Sequence, residues 1–382
     1  MKVAFITTVN HNVGDDFVRD GILYLLTRTV GPVEPALIHK HFPLSVRSEW
    51  NWLHRWGLTR IMDQIPRSSA LGWSRLIDRL PLRESGDKIL GSDLLVQCGA
   101  PVYWLNLESS CAANEWYEPL VRRRWERVRD RVPFLNIGAG SCQTYYSDGT
   151  EFSVAPGVLA YIRELHARCA LTTVRDHLSK SILAMAGVDA PLLPCPSLFA
   201  GKHHGIDAGP PEYIALNYMK LGGHYRFDDA VDPSAWRETF AAFARRLARS
   251  ERCVLVCHDR KEFKEAGRML PEFVRFYSSD YRDYIGVYAR ASCGVVNRVH
   301  AAFVMASFGR PALVVGNDSR ARMTELIDLP SLYVAEATVE RLESMLAALR
   351  NDASMYAAGS ARICDQAEAG YLQWLTSVLG RR

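Results

Sequence analysis

The chain has 382 residues, 48% of them hydrophobic and 23% charged, and a formal net charge of +4. That length exceeds the size at which one core keeps growing, so two domains are expected, and the ordinary composition excludes disorder as the main state. The slight positive charge excludes a dedicated nucleic-acid binder, which concentrates a far larger basic excess. Met1 and Lys2 lead directly into Val3-Ala4-Phe5-Ile6, a run too short for a secretory signal core. The opening reads as a strand over 3–9, a polar loop through Asp16, and a helix from about Phe17 to Thr29 that Gly31-Pro32 ends. Similar short apolar runs fall at 93–96, 133–137, 170–174, 213–217, 254–257, 294–297 and 312–315, with helical segments between most of them. Such alternation calls for parallel sheets covered on both faces. Gly201 to Pro211, rich in Gly, Pro and polar residues, reads as a linker. The expected architecture is α/β: two Rossmann-like domains, 1–205 and 206–382, facing a cleft, with the last helices packing back on the first domain.

No stretch of about 18 apolar residues appears, so nothing is expected to span a membrane. The nine scattered cysteines suit a reducing cytoplasm. Cys253, Cys257 and His258 lie together, but Cys253-Val-Leu-Val-Cys257 reads as a buried strand with no second ligand pair at zinc spacing, so no metal is expected. The segment 45–88 holds Trp50, Trp52, Trp56 and Trp73 among seven arginines. It reads as an insertion packed on its domain, with peripheral contact to a membrane or a lipid-linked acceptor as the alternative. The run Arg122-Arg123-Arg124 reads as a solvated helix face.

Three pieces can carry chemistry. In Asn12-Val13-Gly14-Asp15-Asp16, Asp15 or Asp16 can cap the following helix, and paired carboxylates there favour sugar hydroxyls or acid/base work over an anion. In Val174-Arg175-Asp176, Arg175 follows a strand and either points into the cleft or pairs with Asp176 at the surface. In Asn297-Arg298-Val299-His300-Ala301, a fixed cation and an imidazole follow one strand terminus, which makes an anion site.

In this order, the pieces resemble the polysaccharide pyruvyl transferase family. The Asn-x-Gly-Asp loop is Asn12 to Asp15, Asp93 and Gly99 follow, then Asn136-Ile-Gly-Ala-Gly140, Val174-Arg-Asp-x-x-Ser179, Arg298-x-His300-Ala301 and Gly309-x-Pro311. Two departures are Cys195-Pro196, where the family often has Asp-Pro, and Arg320 or Arg322 as the late basic residue. The resemblance implies a GT-B-like fold, the first domain on the acceptor side and the second on the donor side. It implies transfer of pyruvate from phosphoenolpyruvate onto two hydroxyls of a glycan or lipid-linked sugar, as a ketal, in the cytoplasm or at the inner membrane face. Arg175, Arg298 and Arg320 would hold the donor's anionic groups. His300 would be proton donor or second phosphate ligand, an imidazolium being favoured by nearby anions. Asp15 would be the acceptor-side base, with Asn12 orienting a hydroxyl and Asp16 the alternative base. The scheme requires no metal or organic cofactor. The alternatives are a GT-B nucleotide-sugar glycosyltransferase, with Glu325 for a ribose, and a non-catalytic anion- or glycan-binding relative.

Overall fold

The structure is a computed structural model that describes residues 1–9, 12–40, 85–105, 114, 116–122, 125–227 and 230–380. Most of the tryptophan- and arginine-rich segment expected over 45–88 lies outside the described residues, as do Arg123 and Arg124. Arg122 is exposed and pairs with Glu164 at 3.0 Å.

The first sheet is built from β1 (Lys2–Thr7), β2 (Glu34–His39), β3 (Leu94–Cys98), β4 (Pro101–Tyr103), β5 (Phe134–Ser141) and β6 (Leu171–Val174). Its order is β2-β1-β3-β5-β4, with β6 also pairing β5, and every pair is parallel. Helices α1 (Val13–Val30), α2 (Ser85–Leu90), α3 (Trp125–Val128), α4 (Pro156–Arg168), α5 (His177–Met185) and α6 (Ala200–His204) belong to this half. The second sheet contains β7 (Tyr213–Leu216), β8 (Cys253–Val256), β9 (Val274–Phe276), β10 (Ala291–Val296), β11 (Ala312–Gly316) and β12 (Ser331–Tyr333). Its order, β12-β11-β10-β7-β8-β9, is again all parallel. Helices α7 (Pro233–Leu247), α8 (Arg260–Met269), α9 (Arg282–Ala289), α10 (Val299–Ser307), α11 (Val339–Asn351) and α12 (Ala353–Leu379) accompany it.

Buried strands such as Leu94–Cys98 and Ala312–Gly316 are covered throughout, which explains their unbroken apolar character. In each sheet the strand order reverses beside the first strand: β1 against β3, and β7 against β10. Ligands of open α/β sheets bind outside the carboxyl ends of strands at that switch point. Asn12 to Asp15 follow β1, and Arg298 and His300 follow β10, so each set stands at the switch point of its own sheet.

The apolar core is continuous between the halves. Phe17, Ile22 and Leu26 of α1, Leu198 and Phe199, Phe303 of α10, and Tyr371 and Leu375 of α12 belong to one buried cluster. Gly21 lets α1 lie against the 196–199 turn, because a Cβ there would fall 1.7 Å from the Pro196 carbonyl oxygen. Helix α12 returns to the first domain, where the Tyr371 hydroxyl donates to the Pro194 carbonyl at 2.9 Å and Glu368 accepts from Tyr24 at 2.8 Å and from Lys202 at 2.7 Å. Among the described residues, no helix is long and apolar enough to cross a membrane.

Candidate active site

Helix α1 starts earlier than the sequence suggests, and Asn12 caps it, its Oδ1 accepting from the Gly14 N–H at 3.1 Å. Asp15 and Asp16 are thereby freed from capping and enter two separate networks. Asp15, 5% exposed, accepts from Lys40 Nζ at 2.7 Å and from the Thr8 hydroxyl. Burial alone would raise its pKa. Lys40 outweighs that, helped by Arg175, and holds the carboxyl below its ordinary range. Asp16 turns instead to Arg19, which also binds Asp20 and lies over the Tyr281 ring, 5.1 Å from its centroid. Burial pushes Asp16 up to about 7 despite Arg19. Asp20 in turn accepts from His204 at 2.6 Å, so this second network ties α1 to α6 and to the loop before α9.

Arg175 is not a surface partner of Asp176. It is 1% exposed, whereas Asp176 caps α5 by accepting from the Ser179 N–H at 2.6 Å. Glycines make room for the guanidinium: a Cβ at Gly140 would lie 2.8 Å from its Nε, and one at Gly99 3.3 Å from its Nη1. Nη1 donates to the Gly99 carbonyl at 3.2 Å and to Cys195 Sγ at 3.8 Å. Where a carboxylate at 195 would neutralise this arginine, the thiol does not. Among the described residues its Nε has no partner.

On the second domain, Arg298 caps no helix with its side chain but is held in a fork. Its Nε donates to Glu262 Oε1 at 2.9 Å, Nη2 reaches Glu262 and, at 3.4 Å, Asp259, and Nη1 contacts His224 Nε2 at 2.7 Å. Glu262 is raised by burial, with Arg298 opposing, and it also accepts from the His258 N–H at 2.7 Å and Asn217 Nδ2 at 3.3 Å. It thus binds together the ends of β7, β8 and β10. Arg320 grips Asp318 through two nitrogens, at 2.8 and 2.6 Å, and stacks 5.2 Å from the Tyr225 ring centroid.

The two halves meet at His300. Its Nε2 lies 3.3 Å from Arg175 Nη1, and a Cβ added to Gly14 would sit 2.5 Å from its Nδ1. A guanidinium only donates, so Nε2 is an acceptor and the neutral imidazole carries its proton on Nδ1. Burial lowers the His300 pKa to about 3, and Arg175, Arg320 and Lys40 add to the shift against Asp15. The imidazolium expected from sequence is therefore not the form of the protein alone: burial and three cations outweigh the one anion, Asp15, beside this ring. Beside it the domains are clasped by Gln143 and Ser319, which exchange hydrogen bonds of 3.0 Å, and by stacked Tyr145 and Tyr333. A groove of about 530 Å³ bordered by Ile206, Phe276, Arg282 and Arg290 includes none of these side chains.

Residues 12–319 match the family described as Polysaccharide pyruvyl transferase. The chain belongs to that family. No curated protein matches the sequence. Among solved structures, the S. aureus MnaA–UDP complex aligns with a TM-score of 0.52 at 12% identity, covering 94% of this chain and 90% of that one. UDP-GlcNAc 2-epimerases of Methanocaldococcus jannaschii and Neisseria meningitidis each align with a TM-score of 0.52 at 11% identity. They cover 92% and 100% of this chain, and 93% and 100% of theirs. Likeness at such identity concerns the fold, and it is the GT-B arrangement of two parallel-sheet domains about a cleft.

Within this pyruvyl transferase-family chain, Arg175 and His300 meet across the seam beside the Asn12-capped start of α1, with Asp15 in the field of Arg175. Arg320 follows the Ser319 clasp, Arg298 is held by second-domain residues, and Asp16 is absorbed by Arg19. Sequence reasoning missed Lys40, His224 and Glu262. Lys40 stands at the end of an edge strand, and a basic residue closing an apolar run beside β1 was the available signal. Glu262 and Asp259 form a visible helix start, since Asp259 accepts from the Glu262 N–H at 2.8 Å. His224 carries no local signal at all.

Proposed function

We propose that this protein transfers pyruvate from phosphoenolpyruvate onto two hydroxyls of a sugar in a cell-surface polysaccharide or its lipid-linked precursor, closing a ketal. The observation that carries the reading is the Arg175–His300 contact across the domain seam, in a chain of this family. A buried guanidinium without a carboxylate partner among the described residues and a neutral imidazole beside it form a place where a bound anion relieves an electrostatic cost. Phosphoenolpyruvate brings a phosphate and a carboxylate. Arg298 and Arg320, both already forked by carboxylates, would present fixed donors to them, and Arg175 would act from behind His300.

An anionic donor also reverses the field at His300. With its negative groups beside the ring, the pKa climbs back from about 3 toward and beyond its ordinary 6.5, and the imidazolium so formed protonates the methylene carbon. Asp15 is a poor candidate for the acceptor-side base, because Lys40 and Thr8 already occupy it and depress its basicity. Its role in this scheme is to hold a negative charge near His300, while Asn12 fixes the start of α1 with its Oδ1 and has its amide nitrogen for an acceptor hydroxyl.

The test is a comparison of melting temperatures with phosphoenolpyruvate and with UDP-GlcNAc. A ligand at a hundred times its dissociation constant adds about 2.7 kcal/mol of stability. Stabilisation by phosphoenolpyruvate, with inorganic phosphate released once a sugar acceptor is added, supports pyruvyl transfer. Stabilisation by UDP-GlcNAc alone would replace it with nucleotide-sugar glycosyl transfer.

A further inference from the structure

Pyruvyl transfer, on which this inference rests, moves two hydroxyl protons. The π bond and the bond from C2 to the phosphate oxygen break, and two bonds from C2 to sugar oxygens form. One proton ends on the methylene carbon and the other leaves with phosphate. One group must therefore give a proton at the donor while another takes one at the acceptor. His300 serves the first task, and the carboxylates nearest it in the first domain do not serve the second: Asp15 is bound by Lys40, Asp16 by Arg19, and Asp176 is buried as the cap of α5. On the second domain, Asp318 is bound by Arg320 and Glu262 by Arg298.

We propose that His224 is the second proton-transfer group of this site, the base that receives the hydroxyl proton of the acceptor sugar. It lies on the loop that leaves β7 at the switch point of the second sheet, where the topology directs ligands. The loop is fixed by its own glycines and by the opposite domain. Gly222 has φ +70°, and a Cβ on Gly223 would lie 1.8 Å from Asn317 Oδ1. Asn317 Nδ2 donates to the Tyr225 carbonyl at 2.5 Å, and the Tyr225 ring meets Trp104 of the first domain at 5.4 Å. His224 is thus held at the seam, crowded by protein on one side and open to solvent on the other, where His300 is wedged against Gly14.

The two histidines are wired alike. Each Nε2 accepts from a guanidinium, His300 from Arg175 at 3.3 Å and His224 from Arg298 at 2.7 Å. Both rings are therefore neutral, and both lone pairs are capped by an arginine with a stake in the donor's anions. A donor anion that takes the Arg298 Nη1 hydrogen bond, while Nε and Nη2 stay on Glu262, uncaps the His224 lone pair. Crowding by protein and the charges of Arg298, Arg320 and Lys40 hold the His224 pKa well below 6.5, so it waits in the base form. Donor anions offset those same cations and strengthen it as a base.

The experiment measures phosphate release from phosphoenolpyruvate with a mixture of methyl hexopyranosides as acceptor, for wild type, His224→Ala and His224→Gln. Glutamine keeps an oxygen for Arg298 but takes no proton. Both variants should lose about 100-fold or more in kcat, with KM for phosphoenolpyruvate within about threefold. The acidic limb of the kcat–pH profile should vanish, and added imidazole should restore part of the His224→Ala rate. A His224→Gln protein with more than about a fifth of wild-type kcat would show that His224 only positions Arg298. Wild-type protein that neither binds phosphoenolpyruvate nor releases phosphate defeats the transfer reading itself, whereas wild-type turnover beside an unimpaired variant defeats only this assignment.

Discussion

Gly14→Ala separates folding from chemistry in this site more cleanly than removal of a charged residue would. Gly14 lies in the first turn of α1 and has no positive φ, so alanine fits its backbone and gains up to about 1 kcal/mol of helix propensity. Its new Cβ, however, would lie 2.5 Å from His300 Nδ1, against about 3.4 Å for ordinary contact. The imidazole must retreat by about 0.9 Å, which disturbs its 3.3 Å hydrogen bond with Arg175 Nη1. Overpacking of this kind costs about 1–3 kcal/mol, so the net change in stability should stay within about 2 kcal/mol. The reacting geometry fares worse, because a misplacement near 1 Å costs about 100-fold in rate. Calorimetry should thus find a melting temperature within a few degrees of wild type, and a phosphate-release assay with phosphoenolpyruvate and acceptor should find about 1% of the rate. Activity within threefold of wild type would refute the placement of His300 against the start of α1.

Arg298→Lys should lose transfer almost as fully as Arg298→Ala, because a point charge cannot replace the fork that bridges Glu262 and the cleft. Arg298→Ala should in addition destabilise by up to about 3–5 kcal/mol, since it strands buried Glu262, and pairing it with Glu262→Gln should recover most of that in urea titrations. Lys40→Met should cost a similar amount by leaving Asp15 buried without its cation, read as a fall in melting temperature. For His300 the folded pKa of about 3 lies below the unfolded 6.5, so the unfolded chain binds more protons between those values. Its contribution is complete above pH 6.5 and lost as pH falls toward 3, at most about 5 kcal/mol. Wild type should therefore lose stability relative to His300→Gln over that window, and parallel denaturation curves at pH 4 and 7 would contradict it.

The strands that carry site residues were legible because each is a short apolar run ending in polar residues, as at Val296-Asn297-Arg298 and Val174-Arg175. The edge strand β2 was not. Gly31-Pro32 reads as a helix end with no strand read after it, yet β2 contains Pro35, which an edge strand tolerates because one of its sides needs no ladder donors. With β2 went Lys40, and with Lys40 the state of Asp15: its pairing spans 25 positions, beyond any local pattern. Asp15 and Asp16 look equivalent in sequence, but successive helical residues point about 100° apart, which sends one to Lys40 and the other to Arg19. His224 was invisible because it sits in a glycine loop whose shape is set by Asn317 and Trp104, from a distant strand end and from the other domain.

Titration calorimetry of phosphoenolpyruvate at pH 6, in two buffers of different ionisation enthalpy, tests the meeting of Arg175 and His300 over an anionic donor. Wild type should take up more than half a proton beyond what His300→Gln takes up, because the donor converts a neutral ring of pKa about 3 into an imidazolium. Binding with equal proton uptake in both proteins would mean that the donor does not reach the field of His300.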